Sequence, residues 1–470
     1  MVNDLFENVE ILDAGPEGKA VARAGNLVIF VPFVVPGDIV DIKITRKKRS
    51  YLEGRAVKFY KYSEKRESSF CEHFGTCGGC RWQNMKYGEQ LIYKQKQVED
   101  NIARIAKIEN ALILPILPSA NTKFYRNKLE FTFSNRRWLT EEDRNSMTTV
   151  KEMNALGFHL PLLFDKILDI NNCYLQQEPS NAIRLEAKKY ALENHLSFYD
   201  VHTGQGFLRN LIIRNSSTGG LMVILVFRTD EMEEIKRMLD HLLEKFPVIS
   251  SFYYVVNPKK NDTITDLPFH LYSGQPYLIE SFPAYGINKE ISLRIGPGSF
   301  FQTNSLQGQV LYKTAADFAG FRGDETVYDL YTGIGSLANY IAGVVNKVIG
   351  IESSIAAVQD ATENSKLNHI SNTLFFPGEA EKVLTTEFVS GNGIPDIVIT
   401  DPPRAGMHEK VVKALLSIQP DKIVYISCNP ATQARDLSLL KEQFDLDKCQ
   451  PVDMFPHTQH VENVALLIRR

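Results

Sequence analysis

"VYDLYTGIGS", residues 327–336, runs an apolar strand pattern straight into a turn built on Gly333 and Gly335. A glycine-rich turn at the carboxyl end of a first strand opens the ligand crevice of a parallel α/β sheet. With Ala338 it completes G-x-G-x-x-A, and Glu352 ends the next apolar run, placed for the hydroxyls of a ribose. Downstream, "KVIGIESS", "PDIVITDPPRAG", "KIVYISCNP" and "HVENVALLIRR" alternate with helical segments. Continuous apolar strands separated by helices predict a doubly wound sheet covered on both faces.

Nicotinamide and S-adenosylmethionine enzymes share such a turn, so its glycines do not separate them. Asp329, just ahead of the glycines, would repel a pyrophosphate and suits a cationic sulfonium. Asp401 of "TDPPRAG" adds a second carboxylate at the same edge. An aromatic residue after D-P-P would mark methylation of an adenine amino group; here Arg404 follows. One strand further on, Cys428 of "SCNP" ends its strand facing the crevice. Most free cysteines are small buried hydrophobes, but Ser427, Asn429 and Pro430 stop the strand at this point.

Upstream the texture differs. "NLVIFVPFVV" and "DIVDIKIT", broken by "AGPEG" and "VPGD", predict a small β-barrel over the first 60 or so residues. A loop, "FCEHFGTCGGC", then crowds Cys71, Cys77 and Cys80 together, with Cys173 of "NNCYLQQ" as a candidate fourth ligand. That spacing admits a four-cysteine zinc site or an iron–sulfur cluster. A helix is expected at about 86–106, and strands mixed with helices near 180–195 and 231–246 fill the middle. The polar run at 135–152 reads as an exposed loop or hairpin insertion. No internal repeat is present.

At 470 residues the chain needs several domains. Its 44% hydrophobic and 23% charged residues are ordinary for a soluble protein, and no apolar run is long enough for a membrane span. The start lacks the pattern of a secretory leader, so a cytoplasmic location is expected. The net charge is −3, yet residues 43–66 hold ten Lys/Arg against two Glu. Such a segment, interleaved with Tyr51, Phe59, Tyr60 and Tyr62, points to an RNA surface rather than only a solvated face.

"SFFQTN", "DLYTGIG", "TDPPRAG", "SCNP" and "HVE", in this order, resemble the RNA uracil-C5 methyltransferase family over nearly the whole chain. The barrel resembles a TRAM domain, an OB-like RNA-binding module. The cysteines resemble those of members that hold a [4Fe-4S] cluster and modify 23S ribosomal RNA. The resemblance implies a Rossmann-like S-adenosylmethionine-dependent α/β methyltransferase domain at 296–470, a TRAM-like barrel at 1–62, and a central α+β iron–sulfur domain at 63–295. By motif, Gln302, Tyr331, Ser336, Glu352, Glu379 and Asp401 would bind S-adenosylmethionine. Cys428 would be the nucleophile and Glu462 the general base, with His457 and His460 as the nearby alternatives. Cys71, Cys77, Cys80 and Cys173 would hold the cluster, the resemblance favouring iron over zinc. Ser336 stands where the family often has Asn or Thr, Thr332 where it often has Cys, and Glu379 where it often has Asn or Asp. "YRNK", Tyr125 to Lys128, matches a motif placed close to RNA.

Bacterial members acting on the transfer-RNA T-loop lack barrel and cluster, which favours 23S ribosomal RNA as partner over transfer RNA. Two other classes compete. Radical S-adenosylmethionine enzymes use C-x3-C-x2-C, whereas this loop is C-x5-C-x2-C and lies far upstream of the cofactor turn. A non-catalytic RNA-binding or ribosome-assembly module would have no need of Cys428, Glu462 and Asp401 together. No protein partner is implied.

Overall fold

The computed structural model describes residues 4–145, 152–161 and 163–470. Strands Leu5–Ala14, Ala20–Ala24, Leu27–Val31, Leu52–Lys61 and Ile39–Lys47 close, in that order, into a barrel. Alternate residues Ile29, Val31, Val40 and Ile42 point inward and join Ile11 and Ala22 in its core, as the two-residue period of strands requires. Gly54 lets two strands cross closely, since a Cβ there would stand 2.4 Å from the Ile42 side chain.

A seven-stranded sheet follows, ordered His270–Gly274, Ser251–Val256, Leu221–Phe227, Leu208–Asn215, Lys128–Ser134, Ala155–Leu160, Leu163–Asp169. Helices Ser180–Glu193 and Met232–Lys245 occupy the positions read from the sequence. They share a core with Leu211, Ile213, Val223 and Leu225, while Ile212, Met222, Ile224 and Val226 face the other way into a second cluster. Covered faces on both sides explain why these strands read as unbroken apolar runs. Within the polar run at 135–152, Glu141–Asn145 is a short helix and Arg137 pairs with Asp143 at 2.9 Å. Residues 146–151 of that run lie outside the described residues.

The C-terminal sheet has eight strands, ordered Thr373–Pro377, Lys347–Glu352, Thr326–Leu330, Ile397–Thr400, Lys422–Ser427, Glu462–Arg469, Phe444–Val452, Leu112–Ile113. The first five are parallel. Chain order reverses between Thr326–Leu330 and Ile397–Thr400, the place where such sheets open their ligand crevice. Two segments that the sequence division puts in the central part pack here instead. Leu112–Ile113 forms the sheet's outer strand, and the Leu278–Pro283/Glu290–Ile295 hairpin contributes Phe282, Ile291, Leu293 and Ile295 to the C-terminal core. Helix Tyr87–Asn101 and its continuation to Ala106 also dock on this core through Val98, Ile102 and Ala106. Among the described residues, no helix is long and apolar enough to cross a membrane.

Candidate active site

The glycine turn after Thr326–Leu330 is shaped by backbone conformation. Tyr331 is left-handed at φ 65°, held by its N–H donating to the Ile351 carbonyl at 2.9 Å. Gly333 and Gly335, at φ 58° and 75°, take conformations that are costly for other residues. Thr332 donates its hydroxyl to buried Asp329 at 2.5 Å, a hydrogen bond that a thiol at this position would make weakly. On the neighbouring strand, Glu352 accepts from the Gly333 N–H at 3.1 Å and from the Ser354 N–H at 2.9 Å.

This turn borders a crevice of about 1210 Å³, whose lining includes Gln302, Tyr331, Glu352, Glu379, Asp401, Arg404, Cys428 and Glu462. Five of the six residues expected at the cofactor thus converge. Ser336 does not line it: it is buried at the start of helix Ser336–Ile341, beside the Tyr312 phenol. Glu379 is half exposed and pairs with Lys382 at 2.5 Å. Gln302 is placed by Asn127, which donates to the Gln302 carbonyl at 2.9 Å and to the Ser305 hydroxyl at 2.8 Å. Asn127 belongs to "YRNK", so this motif builds the crevice wall.

Carboxyls crowd one part of the crevice, with Arg404 beside them. Burial lifts the Asp329 and Asp401 carboxyls to about 7 each, and mutual repulsion adds to Asp401. Glu462 is pushed up to about 8 by burial and by Asp401, against the opposing pull of Arg404. Burial, then Glu462 and Asp401, raise the Cys428 thiol to about 11; the Arg404 charge and hydrogen bond act the other way. Asp401 and Glu462 line the crevice and Asp329 is buried behind its turn, so the carboxyls present fit a sulfonium.

Cys428 and Glu462 come from adjacent antiparallel strands whose ladder ends with Ser427 opposite Asn463. Gln433 locks the two strands, donating to the Tyr425 and Asn463 carbonyls at 2.8 and 3.1 Å and accepting from the Asn463 amide at 2.7 Å. Cys428 also borders a second cavity of about 550 Å³, walled by Asp13–Glu17 of the barrel, Trp82, Tyr93, Arg404, Asn429 and His460. Of the two histidines, only His460 reaches this cavity. His457 is buried against Gln90, and burial pushes both imidazoles down to about 4.

The sequence alone gave no reason to single out Arg404 as a partner of the thiol, or Gln433 and Asn463 as struts. No local motif marks them, because their roles come from pairing across strands.

Cys71, Cys77, Cys80 and Cys173 all line one further cavity of about 590 Å³. Each is free, and burial raises their thiols, Cys80 to about 12 and Cys173 to about 11. Asn181 fixes Cys173 by accepting its N–H at 2.8 Å. Gly78 admits the close pass of the His159 carbonyl, 3.2 Å from where a Cβ would sit. Among the described residues, no three His, Cys, Asp or Glu side chains are grouped tightly enough for a metal ion.

A crevice at the switch point, with carboxylates set for a cationic donor, defines an S-adenosylmethionine-dependent methyltransferase. A family model described as tRNA (Uracil-5-)-methyltransferase matches residues 271–470, and a TRAM domain model matches residues 7–57. An uncharacterized RNA methyltransferase of Bacteroides thetaiotaomicron is 52% identical over 454 residues, 96% of this chain and 99% of its own. One of Porphyromonas gingivalis is 47% identical over 468 residues, 98% and 99% of the two chains. The solved Pyrococcus abyssi tRNA (uracil-54, C5)-methyltransferase, in complex with S-adenosyl-L-homocysteine, superposes with a TM-score of 0.74 at 27% identity. That similarity covers 98% of this chain and 99% of the archaeal one. The chain belongs to the tRNA (uracil-5-)-methyltransferase family of RNA methyltransferases.

Proposed function

We propose that the protein methylates C5 of one uridine in 23S ribosomal RNA through a covalent adduct on Cys428. The observation that carries this reading is the position of Cys428 at the wall shared by the cofactor crevice and the second cavity, with Glu462 on the adjoining strand. Gln302, Tyr331, Ser336, Glu352, Glu379 and Asp401 are the proposed contacts of S-adenosylmethionine, Ser336 acting from beneath the turn. When bound, that cofactor supplies an electrophilic methyl carbon on a sulfonium.

Carbon 5 of uracil is too poor a nucleophile to take this methyl unaided. The Cys428 thiolate adds to C6, and electron density moves to C5, which attacks the methyl. Glu462 then removes the C5 proton; the C–H electrons form the C5–C6 double bond and the sulfur leaves. Covalent catalysis divides one difficult step into two easier ones. The target base must leave its stack to lie between thiol and cofactor. The second cavity, bounded by barrel and helix, is the approach for the RNA. Arg404 assists by holding charge of opposite sign beside the thiolate.

Cys71, Cys77, Cys80 and Cys173 are proposed to hold a [4Fe-4S] cluster. It would tie the loop to the central sheet and takes no part in methyl transfer.

A second reading, transfer RNA as substrate, is favoured by the archaeal homologue, a tRNA (uracil-54, C5)-methyltransferase whose likeness includes the barrel region. A barrel therefore does not by itself assign the RNA. Incubating unmodified ribosomal and transfer RNA separately with labelled cofactor, then mapping 5-methyluridine, tests the assignment. Label in transfer RNA alone would transfer it to the second reading.

A further inference from the structure

Both ends of the cysteine loop meet at one residue of the segment leading to Glu462. Before Cys71, the Phe70 ring stands edge-on to the His457 imidazole, centroids 5.0 Å apart. After Cys80, the N–H groups of Arg81 and Trp82 both donate to the His457 carbonyl, at 2.8 and 3.0 Å. His457 is buried and left-handed at φ 65°. A conformation so sparsely populated outside glycine persists only when the surroundings over-determine it.

Gln90 completes the hold from helix Tyr87–Asn101. Its Oε1 accepts the His457 N–H at 2.8 Å, and its Nε2, 3.2 Å from Nδ1, also donates to the Trp82 and Met85 carbonyls. Tyr125, packed against Cys80, donates to the Pro456 carbonyl at 3.1 Å, and Lys94 to the Phe455 carbonyl at 3.0 Å. Three consecutive carbonyls are thus gripped by groups from the N-terminal quarter and the central part. Glu462 lies five residues beyond the last of them, as the first residue of its strand.

We infer that His457 is a positioning residue through which the cysteine loop sets Glu462 for removal of the C5 proton. The inference rests on the base role proposed for Glu462. The strand fixes Glu462 from one side only, and the gripped segment fixes it from the other. Cys428 ends a different strand, so addition to C6 proceeds without this clamp while elimination depends on it.

Single-turnover reactions that follow the methylated protein–RNA adduct and its decay test the link, because the ratio of the two rates is independent of how much variant folds. His457→Val cannot take the left-handed conformation easily; its adduct should decay ~10-fold slower, about 1.4 kcal/mol, with formation within about twofold of wild type. His457→Asn tolerates that conformation and offers Gln90 an acceptor near the Nδ1 position, so it should decay near the wild-type rate. Tyr125→Phe and Cys80→Ser should prolong the adduct in the same direction. Equal slowing of formation and decay, no difference between Asn and Val, or an unchanged lifetime in Cys80→Ser would each overturn the inference. Glu462→Gln serves as control: release at the wild-type rate there would refute the base role itself, a failure distinct from that of the clamp.

Discussion

Cys428 and Glu462 stand one residue beyond the last paired positions, Ser427 and Asn463, on facing strands of one antiparallel ladder. The ladder sets the backbone register of the nucleophile and the carboxyl relative to one another. Both also line the crevice that holds Asp401.

Cys428→Ala should abolish methylation while cofactor affinity stays within about twofold of wild type, because the thiol is not a cofactor ligand in this scheme. Glu462→Gln should accumulate a denaturant-resistant adduct carrying the transferred methyl. RNA with 5-fluorouracil at the target should trap the wild type in the same way, since no C5 proton can be removed. Gel electrophoresis after denaturation reads both; a wild type that never retains the fluorinated RNA refutes the covalent route.

The carboxyl cluster sets a pH dependence. Asp329 and Asp401 titrate at about 7 and Glu462 at about 8, all above their ordinary values because burial disfavours the charge. Groups raised in the fold contribute stability that is complete below the unfolded values of about 4, declines as pH rises, and is gone above the folded values. Cofactor-free protein should therefore lose thermal stability from this source between about pH 4 and pH 8. Affinity for S-adenosylmethionine should rise over the same window, and more than that for S-adenosylhomocysteine, which lacks the sulfonium charge. Calorimetric titrations giving one pH slope for both ligands would refute this account.

Anaerobically purified protein should be brown and carry about four iron atoms per chain. Cys173→Ser, which removes the ligand supplied by the central part, should lower iron content and visible absorbance together. Stoichiometric zinc without iron would replace the cluster with a zinc site.

The basic segment carries an exposed aromatic face. Phe59 stacks on Tyr62 at 4.9 Å, Arg66 lies over both rings, and Lys58 over Tyr60 at 4.3 Å. Replacing Lys48 and Arg49 with Ala should lower the slope of log affinity against log salt by about 1.4 for single-stranded RNA, two released counterions fewer. Filter binding across salt concentrations checks it; an unchanged slope makes these residues a solvated face.

The glycine turn, the Asp401 edge, the Cys428 strand end and the barrel were legible because each is set by a few neighbouring residues. Glycines, prolines and apolar periodicity carry that information locally. Ser336 shows the limit: a motif places it at the turn, but whether its hydroxyl faces the crevice or Tyr312 depends on packing. The buried contact of Lys94 with Asp453 at 2.5 Å and the hold on His457 join residues more than 350 apart in sequence. Nothing local announces them. The docking of Leu112–Ile113 was equally hidden, since two residues give no periodicity to read.

That short strand has a further meaning for how the chain can be divided. Leu112–Ile113 pairs with Lys448 and Cys449, and the Leu114 N–H continues the pairing to the Cys449 carbonyl at 2.9 Å. A fragment beginning at the Leu278–Pro283 hairpin would bare this border to other chains and strand the buried Asp453 carboxylate without its ammonium. The methyl-transferring unit is therefore discontinuous along the polypeptide, its rim contributed by residues made long before its glycine turn. The strand that Leu112–Ile113 borders, Phe444–Val452, leaves the ribosome long after it.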